Sequence, residues 1–259
     1  MSFTDKTACR PIVDEFGFSK DFFDGSLQFL SFLTGEYFRA EVHGIENLPD
    51  SGRAIIAANH GGILPWDAVV IQNLVFNHHH ERRLVRPLME DYIFYLPYVN
   101  IFMNRLGAVR ACQENAEKLL LKEEIILTFP EGLKGVGKSF TQKYVVQRFG
   151  RGGLVKLALR TRTSVIPVAV KGSEESHPLL FKSNRLGKIF NIPFFPFTLT
   201  FPALGPLGLI PLPAKWSVAF GKPFDFHNET TADFEDPVIV AKYNEEVRST
   251  IQAMLKETR

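Results

Sequence analysis

Short apolar runs, each about one strand long and separated by stretches with helical spacing, leave few architectures open to this chain. Ala54 to Asn59, Ile125 to Phe129, Val165 to Val170 and Trp216 to Phe220 read as strands, and Phe38 to Gly44 and Leu84 to Leu88 as shorter extended pieces. Between them, Trp66 to Phe76, Gln113 to Lys122, Leu154 to Arg162 and about Asp236 to Lys256 read as helices, and Gly132 to Gly137 as a glycine-rich loop. Strands alternating with helices predict an α/β fold with a mixed, largely parallel sheet flanked by helices. The 259 residues show no low-complexity stretch, fixed-period repeat or Ser/Gly/Pro-rich linker, so a single domain is expected.

A helical segment should precede that domain. From Lys20 to Phe38 the positions Phe22, Phe23, Leu27, Phe29, Leu30, Phe32, Leu33, Tyr37 and Phe38 form a broad apolar stripe, suited to a core or to a membrane interface. Residues 1–37 are therefore set apart as a membrane-associating helical segment and 38–259 as the main domain. A second apolar stretch, Phe190 to Pro213, is rich in Pro and Gly and has few charges to keep it soluble if exposed. No apolar run reaches the roughly 20 residues needed to span a bilayer. Met1 to Arg10 is mixed and charged, unlike a secretory signal, and Cys9 and Cys112 are too few for a disulfide framework. The expected place is peripheral, on the cytoplasmic side of a membrane.

The formal net charge of +2 hides an uneven distribution. Lys134, Lys138, Lys143, Arg148, Arg151, Lys156, Arg160 and Arg162 stand against Glu131 alone, an excess suited to phosphate or anionic lipid. Nucleic acid is disfavoured, because the aromatic residues among the charges fit no known single-strand motif and the Phe-rich flanks suit lipid better. His78, His79 and His80 read as a solvated turn, since adjacent histidines diverge and no Cys or acidic spacing supports a metal site.

Ala58-Asn59-His60-Gly61-Gly62-Ile63-Leu64-Pro65-Trp66-Asp67 carries the sharpest chemical signal. It puts a histidine at the carboxyl end of a buried strand, where α/β proteins open their ligand crevices. The paired glycines allow a sharp turn, and Pro65 suits a helix start that returns Asp67 towards His60. A carboxylate there can fix the imidazole tautomer and leave the other ring nitrogen as a general base. Glu131, after the strand Ile125 to Phe129 and the ladder-breaking Pro130, would sit at the same rim.

Asn59-His60 with Asp67, Gly107-Ala108-Val109-Arg110, Phe129-Pro130-Glu131-Gly132 and Val165-Ile166-Pro167-Val168 resemble, in order, the four motif blocks of the glycerolipid acyltransferase superfamily, which includes the lysophosphatidic acid acyltransferases. The resemblance covers roughly Phe38 to Phe224, with Arg148 to Gly153 and Glu174-Glu175 fitting a bacterial branch. It implies His60 as general base and Asp67 as its orienting partner, with Arg110, Glu131 and Gly132 binding the acceptor and Pro167 shaping the donor side. The commoner family pattern has four residues between His and Asp; this chain has six.

The implied reaction moves an acyl group from acyl-CoA or an acyl carrier protein to a hydroxyl of a glycerol-based lipid such as lysophosphatidate. A base is needed to remove the hydroxyl proton, and a thioester brings its own leaving group, so no metal or redox cofactor is required. No Gly-x-Ser-x-Gly elbow or evident His-paired cysteine points to an acyl-enzyme.

Two rivals stand beside this reading. Gly132 to Ser139 satisfies the phosphate-binding loop pattern of nucleoside triphosphatases, although no later apolar strand ends in the expected magnesium-binding Asp. Within the acyltransferase reading, Lys134 and Lys138 would bind phosphate of donor or acceptor instead. The other rival is a non-catalytic lipid-binding relative in which the wider His60/Asp67 spacing has broken the pair.

Overall fold

The computed structural model describes residues 13–226 and 236–257; Met1 to Arg10 and Cys9, read above as lacking a signal and a disulfide, lie outside them. Helix α1 (Lys20–Phe32) runs through a π turn at Leu33–Tyr37 into β1 (Glu41–His43) and β2 (Ala54–Ala58). Then follow α2 (Trp66–His78), β3 (Val85–Met89), α3 (Asp91–Tyr95), α4 (Val99–Arg105), β4 (Val109–Arg110), α5 (Gln113–Leu121) and β5 (Ile125–Thr128). The second half holds α6 (Leu133–Val136), α7 (Gly153–Thr161), β6 (Val165–Lys171), α8 (Ser173–Ser176), β7 (Leu179–Ser183), α9 (Asn184–Ile189), β8 (Phe195–Thr198), β9 (Ser217–Phe220) and α10 (Pro237–Glu257).

Seven strands form one sheet in the order β1-β9-β6-β2-β5-β3-β4. The five from β6 to β4 are mutually parallel; β9 pairs antiparallel with β6 and parallel with β1, which makes the sheet mixed and largely parallel as expected. Side chains alternate across it. Along β2, Ala54, Ile56 and Ala58 enter the core beneath α1 and α2, while Ile55 and Ala57 enter the core beneath α5, α7 and α10. Both faces are thus covered, which explains the unbroken apolar runs of the central strands.

The N-terminal helix is part of this body. Ser19 caps α1 by accepting the Phe22 N–H, and Phe23, Leu30 and Leu33 are buried in the same core as β2 and α2. Phe29 and Phe32 remain exposed on its outer side. No helix of the described residues is long and apolar enough to cross a membrane.

Three local expectations change. Gly132 to Gly137 contains the one-turn helix α6 rather than an open loop. His79 is buried rather than solvated: its Nδ1 accepts the Glu81 N–H and its Nε2 faces the Leu48 carbonyl at 3.4 Å. Within the stretch from Phe190 to Pro213, residues Phe195–Thr198 form β8, which pairs antiparallel with β7 in a separate two-stranded sheet, and the segment around it forms a cap beside the carboxyl ends of the central strands.

Candidate active site

All five parallel strands deliver a polar side chain at or just beyond their carboxyl ends: Glu174 after β6, His60 after β2, Glu131 after β5, Glu90 after β3 and Arg110 on β4. His60 and Asp67 are brought together. His60 Nδ1 lies 2.5 Å from Asp67 Oδ2, and the Asp67 side chain is 0% exposed against 14% for His60. Asp67 Oδ1 also accepts the Ala68 N–H at 2.9 Å, and Oδ2 the Gly61 N–H at 3.3 Å. An ionised carboxylate only accepts, so Nδ1 carries the proton and Nε2 is the ring's basic nitrogen. The imidazole is stacked on Phe129, with centroids 4.2 Å apart and planes 18° from parallel.

The loop between them needs its glycines. A Cβ on Gly61 would lie 2.4 Å from Ser173 Oγ, and Gly62 has φ +78°. Ile63 and Leu64 follow, and Asp67 then stands in the first turn of α2, where an anion is favoured.

Glu131 holds the histidine from behind. Its Oε1 accepts the His60 N–H at 2.8 Å and its Oε2 the Gln147 N–H at 2.5 Å, with the side chain 0% exposed. The acceptor contact expected of Glu131 is therefore corrected to an internal one. Lys138 is corrected likewise: its side chain is 2% exposed and its Nζ lies 2.7 Å from Glu174 Oε1 and 3.7 Å from Glu131 Oε2, so it faces carboxylates and not a ligand phosphate. With Lys138 so engaged and α6 only four residues long, the phosphate-loop reading of Gly132 to Ser139 fails.

Lys134 is exposed beside the site, Gly132 lines the cleft, and Pro167 lies within β6 opposite Ala57, packed away from the cleft. Arg110 is exposed and makes a bidentate pair with Asp91, at 2.6 and 2.8 Å, which holds the Asp91 carboxyl below its ordinary range.

His60 opens on a cleft of about 550 Å³ whose walls include Glu90, Tyr92, Phe129 and Gly132. Burial, with the charges of Asp67 and Glu90 nearby, raises the Tyr92 pKa and keeps the phenol protonated. The cleft shares Ile63, Leu64, Tyr92 and Val136 with an adjoining groove of about 680 Å³, closed on its other side by Ile192, Phe194, Phe195, Phe201 and Leu209 of the cap. Glu90 and Tyr92 were not singled out from the sequence; the strand-end rule that found His60 applies equally to Glu90, which directly follows β3. Among the described residues, Asp50, His79 and His80 have donor atoms within 4.8 Å of one another and form the one group with metal-ligand chemistry.

An imidazole paired with a buried carboxylate stands at the mouth of an apolar groove, an arrangement whose geometry suits general-base chemistry. Comparison with known proteins gives that site its class. Residues 39–171 match the family model "Acyltransferase", and the chain belongs to this acyltransferase family. An uncharacterized protein of Mycobacterium leprae is 43% identical over 94% of this chain and 66% of its own length, and one of Mycobacterium tuberculosis is 41% identical over 94% and 68%. The chain thus spans about two thirds of the length of these relatives. A Bos taurus protein described as a DGAT1/2-independent enzyme synthesizing storage lipids is 22% identical over 83% of this chain and 58% of its own. The fold is that of the crystal structure of the 1-acyl-sn-glycerophosphate (LPA) acyltransferase PlsC from Thermotoga maritima, with a TM-score of 0.57, 20% identity, and coverage of 90% of this chain and 80% of that one.

Proposed function

We propose that the protein transfers a fatty acyl group from an acyl thioester, acyl-CoA or acyl carrier protein, to a hydroxyl of a glycerol-based lipid such as lysophosphatidate. The observation that carries this reading is the 2.5 Å contact of His60 Nδ1 with the fully buried Asp67, in a histidine that lines the cleft adjoining the apolar groove and has its other ring nitrogen to offer there. The acceptor hydroxyl gives its proton to Nε2 as its oxygen attacks the thioester carbonyl. Asp67 stabilises the imidazolium formed. Collapse of the tetrahedral adduct breaks the C–S bond, and the departing sulfur takes the proton back from Nε2, so the ester and the free thiol leave the site as it began. No acyl-enzyme is formed.

The groove suits the acyl chain, being walled by Ile63, Leu64, Leu96, Phe194, Phe195 and Phe201. Arg110, exposed near the cleft, would exchange Asp91 for an acceptor phosphate, with Gly132 letting the backbone approach and Lys134 adding charge outside. Ile189, Phe190, Leu199, Leu204, Leu207 and Ile210 are exposed on or beside the cap, and Arg185 and Lys188 of α9 are exposed with them. Together with Phe29 and Phe32 of α1, this surface fits a peripheral position on a membrane, on the cytoplasmic side where thioester donors occur.

The test follows free-thiol release from acyl-CoA with glycerol 3-phosphate, lysophosphatidate, monoacylglycerol and diacylglycerol in turn, for wild type, His60→Ala and Asp67→Asn. Release that needs an acceptor and vanishes in His60→Ala supports the proposal. A folded wild type that consumes no thioester with any acceptor, or acyl-protein trapped on denaturation, overturns it. Co-sedimentation with vesicles, weakened in Phe190→Glu, tests the membrane contact.

A further inference from the structure

The buried lysine of the discarded phosphate-loop motif sits in a cluster the reaction above does not use. Lys138, Glu131 and Glu174 come from three different segments, α6's exit, the β5 rim and α8, yet their charged groups meet in the interior. Two carboxylates share one ammonium, and both reach structural partners as well. Glu131 accepts the main-chain N–H groups of His60 and Gln147, and Glu174 Oε2 accepts the Tyr144 N–H at 2.9 Å. Burial raises the Glu174 pKa and Lys138 opposes that rise. The packing is close: a Cβ on Gly135 would lie 2.8 Å from His60 Cβ and 2.9 Å from Glu131 Cβ, and one on Gly61 would lie 2.7 Å from Glu174 Cγ.

We propose that Lys138, anchored by Glu174, is a positioning residue for acyl transfer: its ammonium holds the Glu131 carboxylate in place behind His60, so that the His60 main chain stays pinned and the ring keeps its register against Asp67. Without the ammonium the buried Glu131 and Glu174 carboxyl groups lose the counter-charge they share, and nothing holds Glu131 in place against the His60 N–H. Small displacements of a catalytic base matter, because a misplacement of about 1 Å lowers rates on the order of 100-fold. Lys138 touches neither substrate nor Nε2 in this scheme; its effect passes through Glu131. The inference rests on the acyl-transfer reading for its kinetic arm only.

The kinetic arm compares Lys138→Met, Lys138→Arg, Glu131→Gln and the double variant Glu131→Gln/Lys138→Met. Lys138→Met is expected to lower kcat on the order of 10- to 100-fold with KM for thioester and acceptor changed less than about twofold, and Lys138→Arg to recover most of the loss. In the Glu131→Gln background, Lys138→Met should cost little more, because the route is already cut. The second arm needs no activity: the low-field proton NMR signal of the His60–Asp67 hydrogen bond, assigned by its absence in His60→Ala, should move or broaden in Lys138→Met and stay in place in Lys156→Met, a change at an exposed lysine of α7. A raised KM at unchanged kcat, an equal loss with and without Glu131, or an unmoved resonance in Lys138→Met would each overturn the inference. Failure of Lys138→Met to fold leaves Lys138→Arg and Glu174→Gln to decide it by the same resonance: unchanged with arginine and displaced with glutamine supports it, and the reverse sinks it.

Discussion

Replacing Asp67 by asparagine changes one charge and almost no volume, at a site with no room to rearrange. The side chain is 0% exposed, and its two oxygens face His60 Nδ1 at 2.5 Å and Ala68 N–H at 2.9 Å. If the amide keeps its oxygen on Ala68, its NH2 group points at Nδ1, which must then be the unprotonated nitrogen. The proton moves to Nε2 and the base is lost. If the amide flips, the tautomer survives but the NH2 group confronts the Ala68 N–H, leaving a buried donor unsatisfied at a cost of about 1–3 kcal/mol. In either case the imidazolium of the transition state loses its counter-charge. For charge centres roughly 4 Å apart at an effective dielectric near 20, that attraction is worth about 4 kcal/mol. At tenfold per about 1.4 kcal/mol, the counter-charge alone accounts for a fall in kcat on the order of 10³-fold, and the amide's misfit brings it towards 10⁴-fold. The assay is thiol release at saturating donor and acceptor, with thermal unfolding to show that the variant is folded. A folded Asp67→Asn variant with kcat within tenfold of wild type would refute the role given to the carboxylate.

Three further outcomes follow from the same geometry. Gly135→Ala places a methyl group 2.8 Å from His60 Cβ and 2.9 Å from Glu131 Cβ, and should destabilise by about 1–3 kcal/mol and reduce activity, both measurable by denaturant unfolding and thiol release. Ile192→Trp fills part of the 680 Å³ groove and should shift preference among acyl-CoA donors towards shorter chains in a competition assay, an unchanged profile placing the chain elsewhere. Burial holds the His177 pKa below the ordinary value, about 6.5, against the hydrogen bond of Nε2 to the Leu209 carbonyl. The unfolded chain therefore takes up a proton first, so this contribution to stability is fully present above about pH 6.5 and is lost as pH falls through the lower folded value. His177→Asn should flatten the acid side of a plot of unfolding free energy against pH.

The central sheet was legible because its strands are buried on both faces and so read as unbroken apolar runs, Ile125 to Phe129 and Val165 to Val170 among them. The cap was not. Its strands β7 and β8 contain Lys182, Pro196 and a register shift between Leu179 and Phe181, which erase the alternation that marks a strand. Helices α3 and α4 were missed for a related reason: each is short, and Pro97 between them breaks the periodic signal. At the site, His60 and Asp67 could be paired from sequence because the turn between them is local. Glu131 and Lys138 were assigned to ligands because a sequence shows charge without showing what faces it. Glu174 supplies the answer from 36 positions beyond Lys138, a distance over which no spacing rule operates.

The wider interval between His60 and Asp67 acquires a physical meaning once the groove is seen. Gly61 and Gly62 make the sharp turn, and Pro65 and Trp66 lead into α2. What remains of the six intervening residues is Ile63 and Leu64, and these two line both the cleft and the groove. The longer loop therefore leaves the dyad closed at 2.5 Å while inserting two apolar side chains between the base and the cap. A shorter loop could form the same hydrogen bond with less wall beside it. The departure in spacing thus leaves the His60–Asp67 contact intact and adds apolar wall to the cleft and the groove. Trimming Leu64 to alanine should consequently alter selectivity among lipid acceptors and acyl chains more than it alters kcat with the preferred pair.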